Sequence, residues 1–451
     1  MSDSAKDLYK HKYYKQRLWP NWIERTVGPR PGLKWGFQRI LGEVPTVDRE
    51  REKRPLLFVP GFMMSTLWDA RRQQTLWFDP RVIVFPSKLV RLGFKEPRLN
   101  SSYDRVDNYI MARAPMRSWL VLSPGYRNFL KCLRPGVFSY DWRDRIETEA
   151  KRLKLFFNDL LDYDAEESIE TVDLVTHSMG GCVVLKFLQD NKKLHDQIGK
   201  IIFIAPPFRG LLSAISTIQD GKTTISKLNF FLSDKKLRDI ATTMPGMYQM
   251  VLAPAEQWLK QLPMNGGTLD LKYPVQGGDL YDPTLWKSRL KNKKPRKGQA
   301  EEIWAPNQDC LKWAKAWYQN LDLELSFADE ALKERMFLIV GIGSKETWSS
   351  VSQHKGSGWE ISGQAKPGRG RMFNGDGMIL FESSYLPLPD PDHQIWALEA
   401  IKNQDLHDDM IGNPEVLAAI EKIRAEGTAE GTGLTKYTDF VSRIYPASAT
   451  P

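Results

Sequence analysis

A serine between small residues, Ser178, is the residue of this sequence best suited to do chemistry. It stands in the stretch 171–181, which reads TVDLVTHSMGG, a β-branched apolar run that ends in a turn of small residues. The following Cys182–Leu188 is apolar at helical spacing. A strand, a sharp turn and a helix form a nucleophile elbow, which presents a serine hydroxyl clear of the backbone beside a base. The pattern therefore predicts that Ser178 is a nucleophile, with a serine that caps a helix as the alternative.

The tight elbow also restricts the residues around the serine. The helix returns close to the strand, so the residues two places before and after the nucleophile must be small. Gly180 satisfies this condition after Ser178, whereas Thr176 stands before it, where glycine is more usual. One position of the predicted elbow is therefore irregular.

A serine nucleophile needs a histidine base, and the chain has six histidines. In a fold with this elbow the order along the chain is serine, acid, histidine, which disfavours His11, His177 and His195. We expect His177 to point into the packing, since side chains alternate along a strand. His407, in a loop before a helix, is the predicted base, and His393, in a Pro- and Asp-rich turn, is the alternative.

The carboxylate that fixes the tautomer of the base should come between the serine and the histidine. Asp376 stands between Gly375 and Gly377, and glycines on both sides allow a turn that aims a carboxylate from the end of a strand. Asp376 is the predicted acid. An ordinary Asp-Gly hairpin turn is the alternative interpretation.

The oxyanion of an acyl transfer needs two backbone N–H groups aimed at it. One is expected from Met179, directly after the nucleophile. The other is expected from the turn that follows the short apolar run Pro55–Gly61. Met63 is the predicted second donor, with Phe62 as the alternative.

The composition is that of a globular protein with a basic surface: 451 residues, 41% hydrophobic and 26% charged, with a net charge of +9. A basic protein favours anionic partners. Since no nucleic-acid motif occurs, no nucleic-acid partner is expected, and an anionic lipid surface is at least as good an interpretation. Three cysteines are too few for a disulfide framework. No metal-ligand spacing is found, so we expect no metal and no cofactor.

The beginning of the sequence lacks an apolar signal segment, and no apolar run approaches the ~20 residues of a membrane span. We therefore expect a cytoplasmic protein, with peripheral association with a membrane as an open alternative.

Strand and helix patterns alternate through the first half of the chain. Apolar runs predict strands at Pro55–Gly61, Gly136–Trp142, Thr171–His177 and Lys200–Pro206, and helical spacing predicts a helix over Ile146–Asp164. Strands that alternate with helices predict a mostly parallel sheet covered by helices.

The alternation breaks between Pro207 and Glu334, where the chain is irregular, and resumes at Met336. An insertion between two core strands is expected to form a cap over the carboxyl ends of the strands, where open α/β sheets bind ligands. The predicted organisation is a basic, aromatic arm (1–50), a first core part (51–206), a cap (207–334), a second core part (335–425) and a polar, loose tail (426–451).

Several separated motifs, in this order, resemble the lecithin–cholesterol acyltransferase-like lipases, which include lysosomal phospholipase A2-type and phospholipid:diacylglycerol acyltransferase enzymes. The matching segments are Leu57–Gly61, Tyr140–Arg143, His177–Gly180, Thr242–Pro245 with Tyr248, Gly341–Gly343, Gly375–Gly377 and Leu406–His407. One segment departs from the family pattern: Ala205–Gly210 reads APPFRG where the family usually has Gly-Ala-Pro-Trp-Gly-Gly.

The resemblance implies an α/β-hydrolase fold with a mostly parallel central sheet, flanking helices and a large cap. It also implies a triad of Ser178, Asp376 and His407 that forms an acyl-enzyme. The expected function is that of a serine lipid acyl hydrolase or O-acyltransferase, which takes an acyl group from a phospholipid or another lipid ester and passes it to water or an alcohol. A soluble carboxylesterase acting on a non-lipid ester is the alternative, and a catalytically silent lipid-binding protein is the third hypothesis.

Overall fold

The computed structural model describes most of the chain after the predicted arm. The described residues are 54–69, 74–77, 92–93, 110–115, 124–162, 169–222, 233–264, 266–288, 290, 304–354, 358–364, 372–400 and 406–446. The arm predicted over 1–50 therefore lies outside the described residues.

The strands are short and are spread over the whole described chain. In chain order they are β1 (Leu56–Val59), β2 (Ser65–Asp69), β3 (Gln74–Trp77), β4 (Ile110–Pro115), β5 (Gly136–Val137), β6 (Val172–His177), β7 (Ile198–Ile204), β8 (Gln261–Met264), β9 (Gly267–Asp270), β10 (Val275–Gln276), β11 (Met336–Ile342), β12 (Trp348–His354), β13 (Gly358–Gly363), β14 (Ile395–Glu399) and β15 (Thr435–Lys436).

The helices follow the same order. They are α1 (Pro124–Leu133), α2 (Ile146–Asp162), α3 (Met179–Asp190), α4 (Leu212–Asp220), α5 (Asp234–Ala241), α6 (Pro245–Gln249), α7 (Gln308–Asn320), α8 (Glu330–Lys333), α9 (Phe381–Ser384), α10 (Pro391–Gln394), α11 (Pro414–Glu426) and α12 (Tyr437–Ile444). Four 3₁₀ turns are also described, at Lys192–Gln197, Ala255–Gln257, Pro283–Leu285 and Met410–Gly412. None of the helices in this part of the chain combines the length and apolar composition that crossing a bilayer requires.

The centre of the fold is a sheet whose described strands run in the order β15-β14-β11-β7-β6-β1-β5. All of its pairs are parallel except that between β14 and β15. Its inner strands β6, β7 and β11 are buried along nearly their whole length, as expected for strands covered on both faces.

Two clusters of buried side chains lie on opposite faces of this sheet. One contains side chains of α2 and α3, such as Leu153 and Val183, and the other contains side chains of α1 and α11, such as Phe129 and Ile420. The predicted architecture, a mostly parallel sheet flanked by helices, is confirmed. The parallel strands β1, β6, β7, β11 and β14 all end at one edge of the sheet.

The segment between β7 and β11, predicted to be irregular, contains five helices and three short strands among its described residues. It docks on the core through Gly246, whose N–H donates to the Arg143 carbonyl oxygen at 3.0 Å. A Cβ at this position would lie 2.7 Å from the carbonyl oxygens of Trp142 and Asp144. Glycine therefore allows α6 to contact the backbone that follows β5. Strand β10 pairs with β12, beyond the boundary predicted for the cap.

The prediction of a loose tail from Glu426 is wrong for residues 427–446. Strand β15 pairs with β14, and α12 buries Tyr437, Phe440 and Val441 against the core. These apolar residues are spaced three and four apart, with Ile444 completing one face, in an otherwise polar segment. The helical face was missed because its apolar residues are few.

Glu149, in the first turn of α2, is a buried carboxyl beside a cluster of ion pairs. Arg143 donates through Nε and Nη2 to Asp141 at 2.8 and 2.6 Å, and Arg152 pairs with Oε1 of Glu149. The other oxygen of Glu149 has no hydrogen-bond partner among the described residues. Burial, together with the nearby Asp144 and Asp141, raises the pKa of Glu149 to about 8 in spite of Arg152.

We expect Glu149→Gln to remove a pH dependence of stability. Because the pKa of Glu149 is about 8 in the folded chain and 4.5 ordinarily, the folded state binds this proton more tightly than the unfolded state between these values. The stability contributed by the protonated carboxyl is fully present below pH 4.5 and is lost as the pH rises through 8.

The midpoint of thermal unfolding of the wild type should therefore fall relative to that of Glu149→Gln as the pH is raised by about four units, from about 5 to about 9. Glu330→Gln, at a position with 73% of the side chain exposed, is the matched control and should follow the wild type. Parallel curves for wild type and Glu149→Gln would contradict a protonated buried carboxyl.

Candidate active site

Strand β6 and helix α3 form a sharp elbow at Ser178. Its backbone has φ 52° and ψ −130°, a combination that residues with a side chain rarely adopt. The Ser178 N–H donates to the Ile204 carbonyl oxygen at 2.9 Å, and the Gly181 N–H donates to the Ser178 carbonyl oxygen at 2.9 Å. The Ser178 hydroxyl makes no capping bond to α3, so the alternative of a capping serine is not what the structure shows.

The close approach of α3 to the sheet explains the small residues of the elbow. A Cβ at Gly180 would lie 2.2 Å from the Val59 carbonyl oxygen and 2.6 Å from that of Pro60. Thr176 is buried, and a Cβ at Gly181 would lie 3.4 Å from its Oγ1. The irregular threonine is thus packed beside Gly181, whose tightest contact is with Pro206, 2.7 Å from where its Cβ would lie.

Ser178, His407 and Asp376 lie in one hydrogen-bonded line. His407 Nε2 is 3.0 Å from Ser178 Oγ, and His407 Nδ1 is 2.6 Å from Asp376 Oδ2. All three side chains are buried. A carboxylate on Nδ1 assigns the proton of the neutral ring to that nitrogen and leaves Nε2 to accept the serine proton.

The Asp376 carboxylate is held in place from its other side. Its Oδ1 accepts hydrogen bonds from the N–H groups of Met378 and Ile379 at 2.9 and 2.7 Å. The turn depends on glycine, because Gly375 has φ 146° and its Cβ would lie 2.3 Å from the Ile379 carbonyl oxygen. Asp376 does not follow a strand directly, nor does it sit in a hairpin between paired strands.

The acid turn lies instead against the end of β11. A Cβ at Gly341 would lie 2.5 Å from the Asp376 Cβ, so the glycine of β11 makes room for the acid. The Thr347 Oγ1 accepts a hydrogen bond from the Gly377 N–H at 2.8 Å and donates to the Ser344 carbonyl oxygen at 3.0 Å. The sequence offered no signal for Thr347, a single threonine 29 residues before the acid.

The two candidate bases lie at different places. The loop of His407 is tied to the acid turn, because the Leu406 N–H donates to the Asp376 carbonyl oxygen at 3.0 Å. His393 is exposed, in α10 just before β14 begins, with its ring 6.2 Å from that of Phe337 at the beginning of β11. The structure therefore brings His407 to Ser178 and leaves His393 at the opposite edge of the sheet.

His177 points into the packing, as expected, and is buried, but it also makes two polar contacts there. Its Nδ1 is 2.5 Å from the Tyr126 hydroxyl, and its Nε2 is 3.0 Å from the backbone carbonyl oxygen of His407. No sequence pattern marks Tyr126 as a functional residue, because it is one of 15 tyrosines and lies 51 residues before His177.

The two residues predicted to form the oxyanion hole lie beside the nucleophile. Met63 has φ 66°, and its carbonyl oxygen accepts a hydrogen bond from Trp77 Nε1 at 2.7 Å, which fixes the turn after β1. Met63, its alternative Phe62, and Met179 line the same cavity as Ser178. Their role as donors stays a prediction.

The cavity at Ser178 and His407 is apolar and rich in methionine. Seven of the 14 methionines of the chain line it: Met63, Met64, Met179, Met244, Met247, Met250 and Met378. Side chains of α5 and aromatic residues also line it, among them Leu237, Ile240, Ala241, Phe62, Trp77 and Trp142. Such a lining suits a flexible hydrocarbon chain.

The arginine of Ala205–Gly210, the segment that departs from the family pattern, does not line this cavity. Arg209 is buried and donates through Nη1 to the carbonyl oxygens of Tyr385 and Glu382 at 2.5 and 3.3 Å. Burial lowers the pKa of the Arg209 guanidinium to about 10. The guanidinium therefore links the segment after β7 to the backbone of α9 and of Tyr385, which follows α9, and it does not line the cavity.

A parallel sheet with an elbow serine after β6, a buried carboxylate and a histidine between them defines a serine-type α/β-hydrolase. Residues 133–339 of the chain match the family model of lecithin:cholesterol acyltransferase. This match agrees with the resemblance carried by the motifs: residues 133–339 are similar to the lecithin:cholesterol acyltransferase family. The enzyme class is that of serine lipases and O-acyltransferases, which act on ester bonds.

A comparison with curated protein sequences finds no significant match. Among solved structures, the chain is similar to a protein in a Tle4–Tli4 complex, with 14% identity, 81% of this chain and 96% of that chain covered, and a TM-score of 0.47. It is also similar to the lipase BlEst2 of Bacillus licheniformis in its mature form (11% identity, 86% and 96% covered, TM-score 0.29) and to the phospholipase PlaB of Legionella pneumophila (11%, 87% and 63%, 0.24).

Proposed function

We propose that Ser178 forms an acyl-enzyme from a lipid ester and passes the acyl group to water or an alcohol. The observation that carries the proposal is the position of His407, whose two ring nitrogens contact Ser178 Oγ at 3.0 Å and Asp376 Oδ2 at 2.6 Å. This arrangement allows the ring to take a proton from the serine while its other nitrogen remains bonded to the carboxylate.

In the first half of the reaction, Ser178 Oγ attacks the ester carbonyl carbon and its proton passes to His407 Nε2. Asp376 stabilises the imidazolium that forms. The tetrahedral intermediate collapses as His407 returns the proton to the departing alcohol oxygen, and the acyl group remains on Ser178. In the second half, the oxygen of water or of an acceptor alcohol attacks the acyl carbon and its proton passes to His407 Nε2. His407 returns this proton to Ser178 Oγ as the second tetrahedral intermediate collapses, which releases the acyl product and regenerates the free serine.

The negative charge of both tetrahedral intermediates requires two amide donors. We assign them to Met179, at the beginning of α3, and to Met63, with Phe62 as the alternative for the second. The strained backbone of Ser178 and Met63, with φ 52° and 66°, supports the assignment, because strain of this kind is found where the backbone is fixed for function.

The substrate class follows from the cavity. Its apolar walls suit the acyl chain of a phospholipid or another lipid ester better than a polar ester. The net charge of +9 favours a lipid surface that carries anionic groups. We propose that the enzyme takes its substrate from such a surface.

We expect Ser178→Ala and His407→Ala to lower kcat on a phospholipid ester by about 10⁴-fold or more, and Asp376→Asn by roughly 10³-fold, because the three groups act as one unit. His393→Ala, at an exposed histidine, is the matched control and should retain wild-type kcat. The measurement is the initial rate of fatty acid and acyl-ester formation. Normal turnover in His407→Ala, or loss in His393→Ala, would move the base to His393.

Chain length separates a lipid substrate from a small soluble ester. For a homologous series of monoesters, kcat/KM should rise about fourfold for each added CH₂ until the cavity is filled, since burying one CH₂ contributes about 0.8 kcal/mol. A flat or falling series would favour the soluble carboxylesterase.

Ala241 lines the cavity from α5 and is buried, so Ala241→Trp should reduce kcat/KM for long chains and leave short chains unaffected. Ala331→Trp, at an exposed alanine of α8 outside the cavity lining, is its control. An equal loss for short and long chains in Ala241→Trp would contradict the assignment of this cavity to the acyl chain.

A further inference from the structure

The hydroxyl of Tyr126, in the first turn of α1, joins two parts of the site that are far apart in sequence. It accepts a hydrogen bond from the Gly61 N–H at 3.0 Å and lies 2.5 Å from Nδ1 of His177. The Tyr126 ring is buried between Phe58 and His177, with centroid distances of 5.7 and 5.3 Å. One hydroxyl therefore links the turn after β1 to the last residue before the nucleophile.

His177 extends this link to the base. Its Nε2 lies 3.0 Å from the backbone carbonyl oxygen of His407, and the two rings lie 4.9 Å apart, centroid to centroid. Its neighbours in the chain are Thr176 and Ser178, so any rotation of the elbow would move the ring.

The direction of each bond is fixed at the His407 end. The His407 carbonyl oxygen can only accept, so His177 Nε2 carries the proton of the neutral imidazole and donates it there. Nδ1 is then an acceptor and takes the proton of the Tyr126 hydroxyl, whose oxygen accepts from the Gly61 N–H. Burial lowers the pKa of His177, with the nearby His407 adding to the effect, and burial raises the pKa of Tyr126. Both groups are thus neutral, as this order of donors requires.

We propose that Tyr126 and His177 are positioning residues that hold the oxyanion turn, the nucleophile and the base in one fixed arrangement. The proposal rests on the proposed function, since it presumes that Ser178 and His407 catalyse. Neither residue exchanges a proton with substrate. Their role is to keep the Gly61 turn, the elbow and the backbone of His407 at fixed separations through three hydrogen bonds in series.

Helix α1 is itself anchored to the loop of the base, which makes it a rigid support for the tyrosine. Asn128 Nδ2 donates to the Gly412 carbonyl oxygen at 2.8 Å. A Cβ at Gly412 would lie 2.2 Å from the Cα of Gly125, so the two backbones are in direct contact. Tyr126, one residue later, is therefore held against the same loop that carries His407.

The test begins with Tyr126→Phe, which removes the hydroxyl and keeps the buried ring. The Gly61 N–H and His177 Nδ1 then lose their partners, and the His177 tautomer is no longer imposed. We expect kcat to fall roughly 10- to 100-fold with little change in KM, because the ordered arrangement matters most at the transition state. The rate constant for inactivation by a fluorophosphonate should fall by a similar factor.

Tyr281→Phe is the matched control for the loss of a buried tyrosine hydroxyl. Tyr281 is buried outside the site and donates to the Leu252 carbonyl oxygen at 2.8 Å. Tyr281→Phe should lower the thermal midpoint about as much as Tyr126→Phe does, and should leave kcat and the inactivation rate at wild-type values. If the loss of kcat is proportional to the fall in thermal midpoint in both Tyr126→Phe and Tyr281→Phe, Tyr126 supports the fold only and the proposal is wrong.

Two substitutions of His177 separate its hydrogen bond to Tyr126 from its hydrogen bond to the His407 carbonyl oxygen. Glutamine can place an N–H where Nε2 stands, and so can keep the bond to the His407 carbonyl oxygen. Asparagine can place a polar atom near Nδ1, and so keeps only the contact with Tyr126. We expect His177→Gln to retain about tenfold more kcat than His177→Asn at equal thermal midpoint, since only the former holds the base.

Equal kcat in the two His177 variants would overturn the role of the Nε2 bond. Wild-type kcat and wild-type inactivation rate in Tyr126→Phe would overturn the whole proposal. If the proposed function itself is wrong, the result differs: the fluorophosphonate would label Ser178 neither in the wild-type protein nor in Tyr126→Phe.

Discussion

The hydrogen bond between Ser178 Oγ and His407 Nε2, 3.0 Å long, is the contact on which the rest of the site depends. It joins residues 229 positions apart, so no local preference of the chain can form it. The parallel sheet makes it possible, because β1, β6 and β11 end at one edge. The turn of Gly61, the elbow of Ser178 and the acid turn packed on Gly341 are therefore neighbours. His407 is then brought in by the bond between the Leu406 N–H and the Asp376 carbonyl oxygen.

Glycines determine how closely these segments can approach. Gly180 lets α3 pass over the carbonyl oxygens of Val59 and Pro60, and Gly341 lets the acid turn rest on β11. At each position a Cβ would lie 2.5 Å or less from a neighbouring atom. Gly180, which marks the elbow in the sequence, thus sets the distance of the elbow from the turn after β1, and Gly341 sets the distance of the Asp376 turn from β11.

The three residues that the structure brings together could be selected from the sequence because each has a local signature. Ser178 stands in an elbow, Asp376 between glycines, and His407 after both in chain order. The sheet and its main helices could be predicted because their apolar periodicity is strong over many residues. The helix after Gly427 was missed because its apolar face has only four residues in a polar stretch.

Tyr126 and Thr347 could not be predicted, for a different reason. Each acts through a single hydroxyl whose partners come from distant segments, and neither has a pattern in its own neighbourhood. Tyr126 occupies a position that reads as an ordinary buried aromatic of α1, and its polar role depends on Gly61 and His177 meeting at the sheet edge. Such contacts are a property of the assembled fold and become visible only when the fold is known.

The central claim is that the acyl group is carried by Ser178, and trapping the intermediate tests it most directly. The protein is mixed with a long-chain ester for a short time and quenched in acid, and the acylated peptide is identified by mass spectrometry. The account predicts a mass increase equal to one acyl group, located on the peptide that contains Ser178 and absent in Ser178→Ala. An acyl group on another residue, or turnover of the ester by Ser178→Ala, would contradict it.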